Sequence, residues 1–517
     1  MFSKCKRWIS VVAAIVVLIA LFLSGCQQKP VVDTAETKGY STEETTATTE
    51  IPEDGDILWI VTDEDSGMNP LVETMIMQFQ QEHPEISIKL QILPTDDHIA
   101  NDDSFIEPRD IMLQQLRPAI MAGKGPDVYL FPTYHTWHKK LFEDVNLAIR
   151  NGLFEDISVF YDADVELGKE NLITGVMDAG VYEGGRYVLP LRYELPVAYV
   201  DVKQFEAAGG SMDVLEGGIL NLYQHVLNTG SRELAIGAYT SEKAMADFSS
   251  NFLGQIIDYD AHEVPVTAEE LIPFLESLQQ VRAMAKPDPA SWEIIKYRFP
   301  NVIFELFDSM VFWTDYEPMY IGTLQDLLDN SAYSKLTGTE IAAIPVASAK
   351  GKVTADVTYY GAVGYGCDEP ELAYEFLRLF LTEQGQWTEN RDSCEAVHYN
   401  GWPVRTDGDV PLLWERRQQE LAAAGREANP AWDDETRSKQ RALREQILEE
   451  LTITAEDLVL VSSEVDEAQF SIALEHDLFD DVIFALNEDI TSAATDADTN
   501  ALVEVWLKEL EWHLAEG

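Results

Sequence analysis

Positive charge is scarce in this chain. Its 517 residues hold 36 Lys and Arg against 91 Asp and Glu, a formal net charge of -55. A surface that negative repels phosphate backbones, which argues against a nucleic-acid partner. It also repels anionic lipid headgroups and, at long range, anionic ligands, and leaves neutral and cationic ones unopposed. Catalytic signatures are missing as well: no Gly-x-Ser-x-Gly, His-Glu-x-x-His or phosphate-binding loop occurs. His135 and His138 have the right residue type for a zinc site but no third ligand nearby. Carboxylate pairs of the kind used in glycoside hydrolysis arise by chance at this acidity. No enzyme activity, metal or other cofactor is therefore expected. No internal repeat is present. Long apolar runs are limited to Val11 through Leu23, whose 13 residues fall short of the roughly 20 that span a bilayer.

What is there begins with that run. Lys4, Lys6 and Arg7 precede it and small residues follow it, which is the pattern of a secretory signal peptide. Leu23-Ser24-Gly25-Cys26 resembles a bacterial lipobox. The resemblance implies cleavage after residue 25 and acylation of the Cys26 thiol, leaving the chain lipid-anchored, with palmitate or a similar acyl group, on the outer face of the cell membrane. Residues 26–56 are rich in Thr and Glu and poor in apolar side chains, and read as a disordered tether. Four cysteines occur in all. Cys5 leaves with the signal and Cys26 carries lipid, so Cys367 and Cys394 remain, either bridged or as two buried thiols.

The whole chain is 46% hydrophobic and 10% aromatic, enough for large cores, and the part beyond the tether is too long for one. Ile57 through Val61 reads as a buried strand. Leu71, Val72, Met75, Ile76 and Phe79 then repeat at helical period, and the helix stops at His83-Pro84. Ile86, Ile88, Leu90 and Ile92 alternate as in a strand. A second helix carries Met112, Leu116, Ala119 and Ile120, with a kink or break expected at Pro118. Asp127 through Phe131 is a further buried strand. This order predicts an α/β fold with a largely parallel sheet. Further on, the pattern predicts a strand-like Tyr187–Tyr199, helices at 265–285 and 322–330, a strand at 342–346, and one amphipathic helix from Glu371 to Trp387. Beyond Asp407 the chain turns mostly helical, with two helices in 478–514 broken around 491–499.

Four blocks resemble the extracellular solute-binding proteins of ABC transporters, in the carbohydrate-type family that includes maltose-binding proteins. They are Ala122-Gly123-Lys124-Gly125-Pro126-Asp127-Val128; Tyr182 through Pro190 with Leu195 through Tyr199 and Phe205 through Gly209; Ala373 through Thr382 with Gln384-Gly385-Gln386; and Gly401-Trp402-Pro403-Val404-Arg405. They occur in family order over residues 56–405; the tract 408–470 departs from the pattern. The resemblance implies a two-lobed periplasmic-binding-protein-like fold, each lobe a mostly parallel sheet flanked by helices, with a helix-rich C-terminal part. It divides the chain into an N-terminal lobe of residues 57–190 and 361–400 and a C-terminal lobe of residues 191–360 and 401–517. Crossovers would lie at Leu189–Pro196, near Thr358–Gly364 and near Tyr399–Arg405. Ligand would sit between the lobes, which close by hinge motion.

The function so implied is capture of a carbohydrate, of oligosaccharide size, by a monomeric receptor that delivers it to ABC permease subunits. Sugars need aromatic faces and a few acceptors. Positions placed in the cleft offer Trp313, in a stretch that lacks the family's usual Gly; Glu194 at the first crossover; Phe131 and Tyr134 after the third strand; Thr62 and Asp63 after the first; Tyr359 and Tyr360 at the second crossover; and Trp402 at the third. Tyr359 and Tyr360 point to opposite faces if extended, so at most one meets ligand. Each of these has a plain alternative as core or solvated surface. The same fold binding a cationic peptide or polyamine suits the acidic surface; a surface glycosidase or a scaffold are further alternatives.

Overall fold

The computed structural model describes residues 57–64, 68–95, 108–133, 139–238, 252–285, 318–387, 401–408, 410–423 and 496–516, and short pieces between 438 and 472. Its first half alternates β1 (Ile57–Asp63), α1 (Asn69–Glu82), β2 (Ser87–Leu93), α2 (Pro108–Met121), β3 (Val128–Pro132) and the short α3 (Val145–Arg150). β4 (Val188–Glu194) and β5 (Pro196–Asp201) follow, then α4 (Ile219–Thr229), α5 (Ala268–Ala285), β6 (Met319–Thr323), α6 (Leu327–Thr337) and β7 (Ile341–Pro345). The chain ends with β8 (Thr354–Val363), α7 (Pro370–Arg378), β9 (Trp402–Pro403), α8 (Val410–Ala423), β10 (Gln469–Ser471) and α9 (Asp496–Glu516).

Apolar patterning accounts for the early elements. β1 is buried along nearly its whole length and has a parallel neighbour on each side, β2 and β3. Strands covered on both faces read as continuous apolar runs, which is what residues 57–61 are. β2 stands at the sheet edge and stays mostly half-buried. α1 buries Leu71, Val72, Met75 and Phe79 and stops at His83, before Pro84. α2 runs unbroken through Pro118, which supplies no N–H to the Gln114 carbonyl but lies near the helix end, where little of the helix follows it; Ala122 N–H donates to the Pro118 carbonyl at 3.1 Å.

The large sheet has seven strands among the described residues, in the order β9-β4-β8-β3-β1-β2, with β10 paired to the start of β8. β8 runs antiparallel to both β3 and β4. The second sheet has the order β6-β5-β7, and its described strands pair antiparallel rather than parallel. Leu195 alone separates β4 in the first sheet from β5 in the second. The chain returns between Pro345 and Thr354, since β8 lies in the large sheet over its whole length. β9 and β10 also join the large sheet, so part of the segment beyond residue 400 belongs with it.

Two hydrophobic cores result. One surrounds the large sheet and continues onto one face of the small sheet, through Tyr199, Tyr320, Leu327 and Ala343. The other covers the opposite face of the small sheet, where Ala198, Val200, Met319 and Ile321 meet α4, α5 and α9. All described residues lie in one compact unit, Asp54–Gly517.

The amphipathic stretch from Glu371 is not one helix. α7 gives way to a 3-10 turn at Leu379–Leu381 and a short helix at Glu383–Trp387. Thr382 takes an extended conformation, and its hydroxyl accepts from Gly385 N–H at 3.1 Å, so it starts a new helix. In the divergent tract, α8 buries Val410, Leu413 and Trp414, and the Trp414 indole donates to the Leu451 carbonyl at 2.7 Å. Arg417 on the same helix makes a buried ion pair with Asp329 on α6 at 2.7 Å. No helix among the described residues is long and apolar enough to cross a membrane; Val11 through Leu23, with Cys26, lies outside them.

Candidate functional site

β1 and β3 are parallel neighbours, yet β1 connects forward to β2 on its other side. Where strand order reverses in this way, the loops at the carboxyl ends diverge and leave a crevice. A small recess, with room for about one water molecule, lies there, lined by Asp63, Phe131, Pro132, Lys140, Leu141, Phe142 and Tyr360. Strand register explains the set. Phe131 pairs with Tyr360, so the two share a face at the end of β1, and Asp63 lines the recess with them. Thr62 and Tyr359 lie one residue out of step and meet each other elsewhere, hydroxyl to hydroxyl at 3.5 Å. The recess thus takes Tyr360 and not Tyr359.

Its lining is mostly apolar or aromatic by residue type, but the surface exposed in it is mostly polar. Phe131 packs edge-on against Phe142 at 6.4 Å, and Phe142 packs the same way on Tyr129 and Phe154 at 5.0 Å each. Phe131 is therefore held mostly within the core, 4% exposed. Tyr360 is buried, which holds its phenol well above the usual range and keeps the hydroxyl protonated.

Asp63 is committed to an ion pair. Arg109 Nη2 lies 2.5 Å from its Oδ2, and Nη1 lies 3.2 Å from Oδ1. The same guanidinium donates to the Pro94 carbonyl at 2.9 Å and the Lys139 carbonyl at 2.7 Å. One buried arginine thus gathers the end of β1, the segment after β2 and the loop carrying Lys140. Lys140 Nζ donates to the Thr133 carbonyl at 3.3 Å.

Glu194 ends β4 and is buried. Its Oε1 accepts from Leu324 N–H at 2.6 Å, just past β6, and from Leu195 N–H at 3.2 Å. This carboxylate links the two sheets where the chain crosses between them. Trp402 pairs with Tyr193 across β9 and β4 and packs, half-buried, on the first core. Trp313 and Tyr134 lie outside the described residues, as do His135, His138 and Cys394. Cys367 is a free thiol. Burial and the neighbouring Asp127 carboxylate push it up to about 12. Among the described residues no group of three or more His, Cys, Asp or Glu could hold a metal.

Sequence reasoning missed Arg109, Lys140, Leu141 and Phe142. Arg109 left one signal: it is a cation in the first turn of a helix, where the macrodipole disfavours positive charge. Such a residue is held by a tertiary partner.

The architecture matches known structures. The sugar-binding protein MalE from Xanthomonas citri superposes with a TM-score of 0.50 at 11% identity, over 89% of this chain and 98% of that one. The fold is that of a solute-binding protein. The extracellular solute-binding protein family 1 from Alicyclobacillus acidocaldarius gives a TM-score of 0.49 at 12% identity, covering 90% of this chain and all of its own. The cyclic alpha-maltosyl-1,6-maltose binding protein from Arthrobacter globiformis gives 0.47 at 12%, with 90% and 100% covered. No family model matches the sequence, and no curated protein matches it.

Proposed function

We propose that this protein is the receptor of an ABC importer, anchored by lipid on Cys26 at the outer face of the cell membrane. It binds a carbohydrate, of oligosaccharide size, between two lobes and hands it to membrane permease subunits, acting as a monomer without chemistry of its own. The lobes are the two cores, parted at Leu195 and between Pro345 and Thr354. One observation carries the reading. The small recess at the carboxyl ends of β1 and β3 brings Phe131, Phe142 and Tyr360 together with Asp63 and Lys140, and would mark the large-sheet side of the site. Sugars present C–H faces and hydroxyls, which such a surface suits. The structural neighbour MalE is named a sugar-binding protein, and the same class of cargo is inferred here.

Thermal melting against neutral oligosaccharides, monosaccharides, polyamines and short peptides tests it. A ligand at about 100 times its dissociation constant adds about 2.7 kcal/mol of stability. A shift with one sugar class supports the receptor reading and names the cargo. The net charge of -55 favours one second reading, a polyamine or cationic peptide as ligand. Binding would then weaken steeply with salt, whereas sugar binding would not. Replacement of Cys26 by Ala should release the protein into the medium; retention at the membrane would overturn the lipid anchor.

A further inference from the structure

Asp144 joins the two cores away from the crossing strands. It caps α3 of the first core, its Oδ1 accepting from Leu147 N–H at 3.1 Å. Its Oδ2 receives the Tyr259 hydroxyl and lies 2.8 Å from His513 Nε2. Both partners come from the other side. Tyr259 packs against the second core, and His513 sits in the last turn of α9, whose Val503, Trp506, Leu510 and Leu514 are buried there. The Asp144 side chain is 3% exposed and that of His513 26%. A second contact supports the first: Arg150, at the other end of α3, reaches Asp260 at 2.8 Å and lies over the Tyr259 ring.

We propose that Asp144 and His513 form a proton-controlled latch between the two lobes. The proposal rests on the two-lobed receptor reading. A buried carboxylate facing an imidazolium makes a charge-assisted hydrogen bond, roughly twice as strong as a neutral one. When His513 loses its proton the ion pair is lost, and the grip on Asp144 falls to neutral hydrogen bonds from Tyr259 and one imidazole tautomer. The latch therefore holds below the histidine range and loosens as pH rises through it. Other ionisable groups stand on the surrounding elements. Asp144, Glu143 and Arg150 lie on or beside α3, with Glu143 paired to Arg117. The hairpin that carries Tyr259 adds Asp258, Asp260, His262 and Glu263. Glu509 lies one turn back on α9, and Glu276 and Arg282 lie on α5. His262 is the only other histidine among these groups, so it serves as the control.

The test uses the ligand-free full chain, so it stands apart from whether a sugar binds. Dyes placed through non-natural amino acids at Val159 and Glu206, both exposed and on opposite cores, report lobe separation by single-molecule energy transfer. Between about pH 5.5 and about pH 8, across the histidine range, the wild-type distribution should move to longer, broader distances. His513→Gln keeps an amide donor without charge and should show the high-pH distribution at both values. Asp144→Asn should flatten the response in the same way, and His262→Gln should leave it intact. A wild type indifferent to pH, a His513→Gln variant that responds as the wild type does, or loss of the response in His262→Gln would each overturn the latch.

Discussion

Asp63 and Arg109 meet in the interior, with 2.5 Å between Oδ2 and Nη2 and neither side chain more than 4% exposed. Two charges taken out of water hold only while both are present. Arg109→Met should therefore cost about 3–5 kcal/mol, because it leaves a buried carboxylate uncompensated. Joint replacement with Asp63→Leu should recover the part due to the carboxylate, the Pro94 and Lys139 carbonyls still lacking the arginine donor. Midpoints of urea unfolding measure both; a double variant as unstable as the single would show that the charge is not the cause.

Two further ion pairs make a controlled comparison. Arg417 and Asp329 are buried where α8 meets α6, and Lys335 and Asp457 lie nearer the surface. Asp329→Ala should lose about 3–5 kcal/mol, as breaking a buried pair does. Lys335→Ala should lose no more than about 1 kcal/mol, as exposed pairs do. Equal losses in chemical denaturation would contradict the burial argument.

Cys367 should be a sluggish nucleophile. With its thiol pushed up to about 12 from 9.0, the thiolate fraction near neutral pH falls about 1000-fold against an ordinary cysteine, and alkylation slows with it. Mass spectrometry of the Cys367 peptide, native against unfolded, reads the ratio. Equal rates would show the thiol to be exposed.

Asp127 should make stability fall with rising pH. Burial raises its carboxyl above 3.8, although Trp59 N–H and the Cys367 thiol bond to it. The folded state therefore holds this proton more tightly than the unfolded chain. Ionisation costs stability as pH climbs from the ordinary value through the raised one. Asp127→Asn removes that cost and should gain on the wild type across this window, then hold its advantage above it. Unfolding midpoints measured from acid to neutral pH decide the sign.

Much of the fold was legible because periodicity is local. The apolar run at 57–61, the helical spacing from Leu71 to Phe79 and the alternation at 86–92 each report hydrogen-bonded geometry within a few residues, and the structure has β1, α1 and β2 there. The break of the helix at Thr382 was harder to read, since a helical apolar pattern continues across it.

The site was legible only by position along the chain. Asp63 and Phe131 follow or end the first and third strands, and Tyr360 lies at the crossover that the family resemblance implies; the recess is lined by all three. Sequence alone determined the alternating α/β order, the acidic surface and which segments carry aromatics, because composition and period need no partner. Tertiary structure alone decided that Asp63 faces Arg109, 46 residues away, and that Glu194 holds Leu324 N–H, 130 residues away. Whether a carboxylate is a ligand contact or an internal tie depends on which distant group the folded chain brings within 3 Å of it, and no local pattern encodes that.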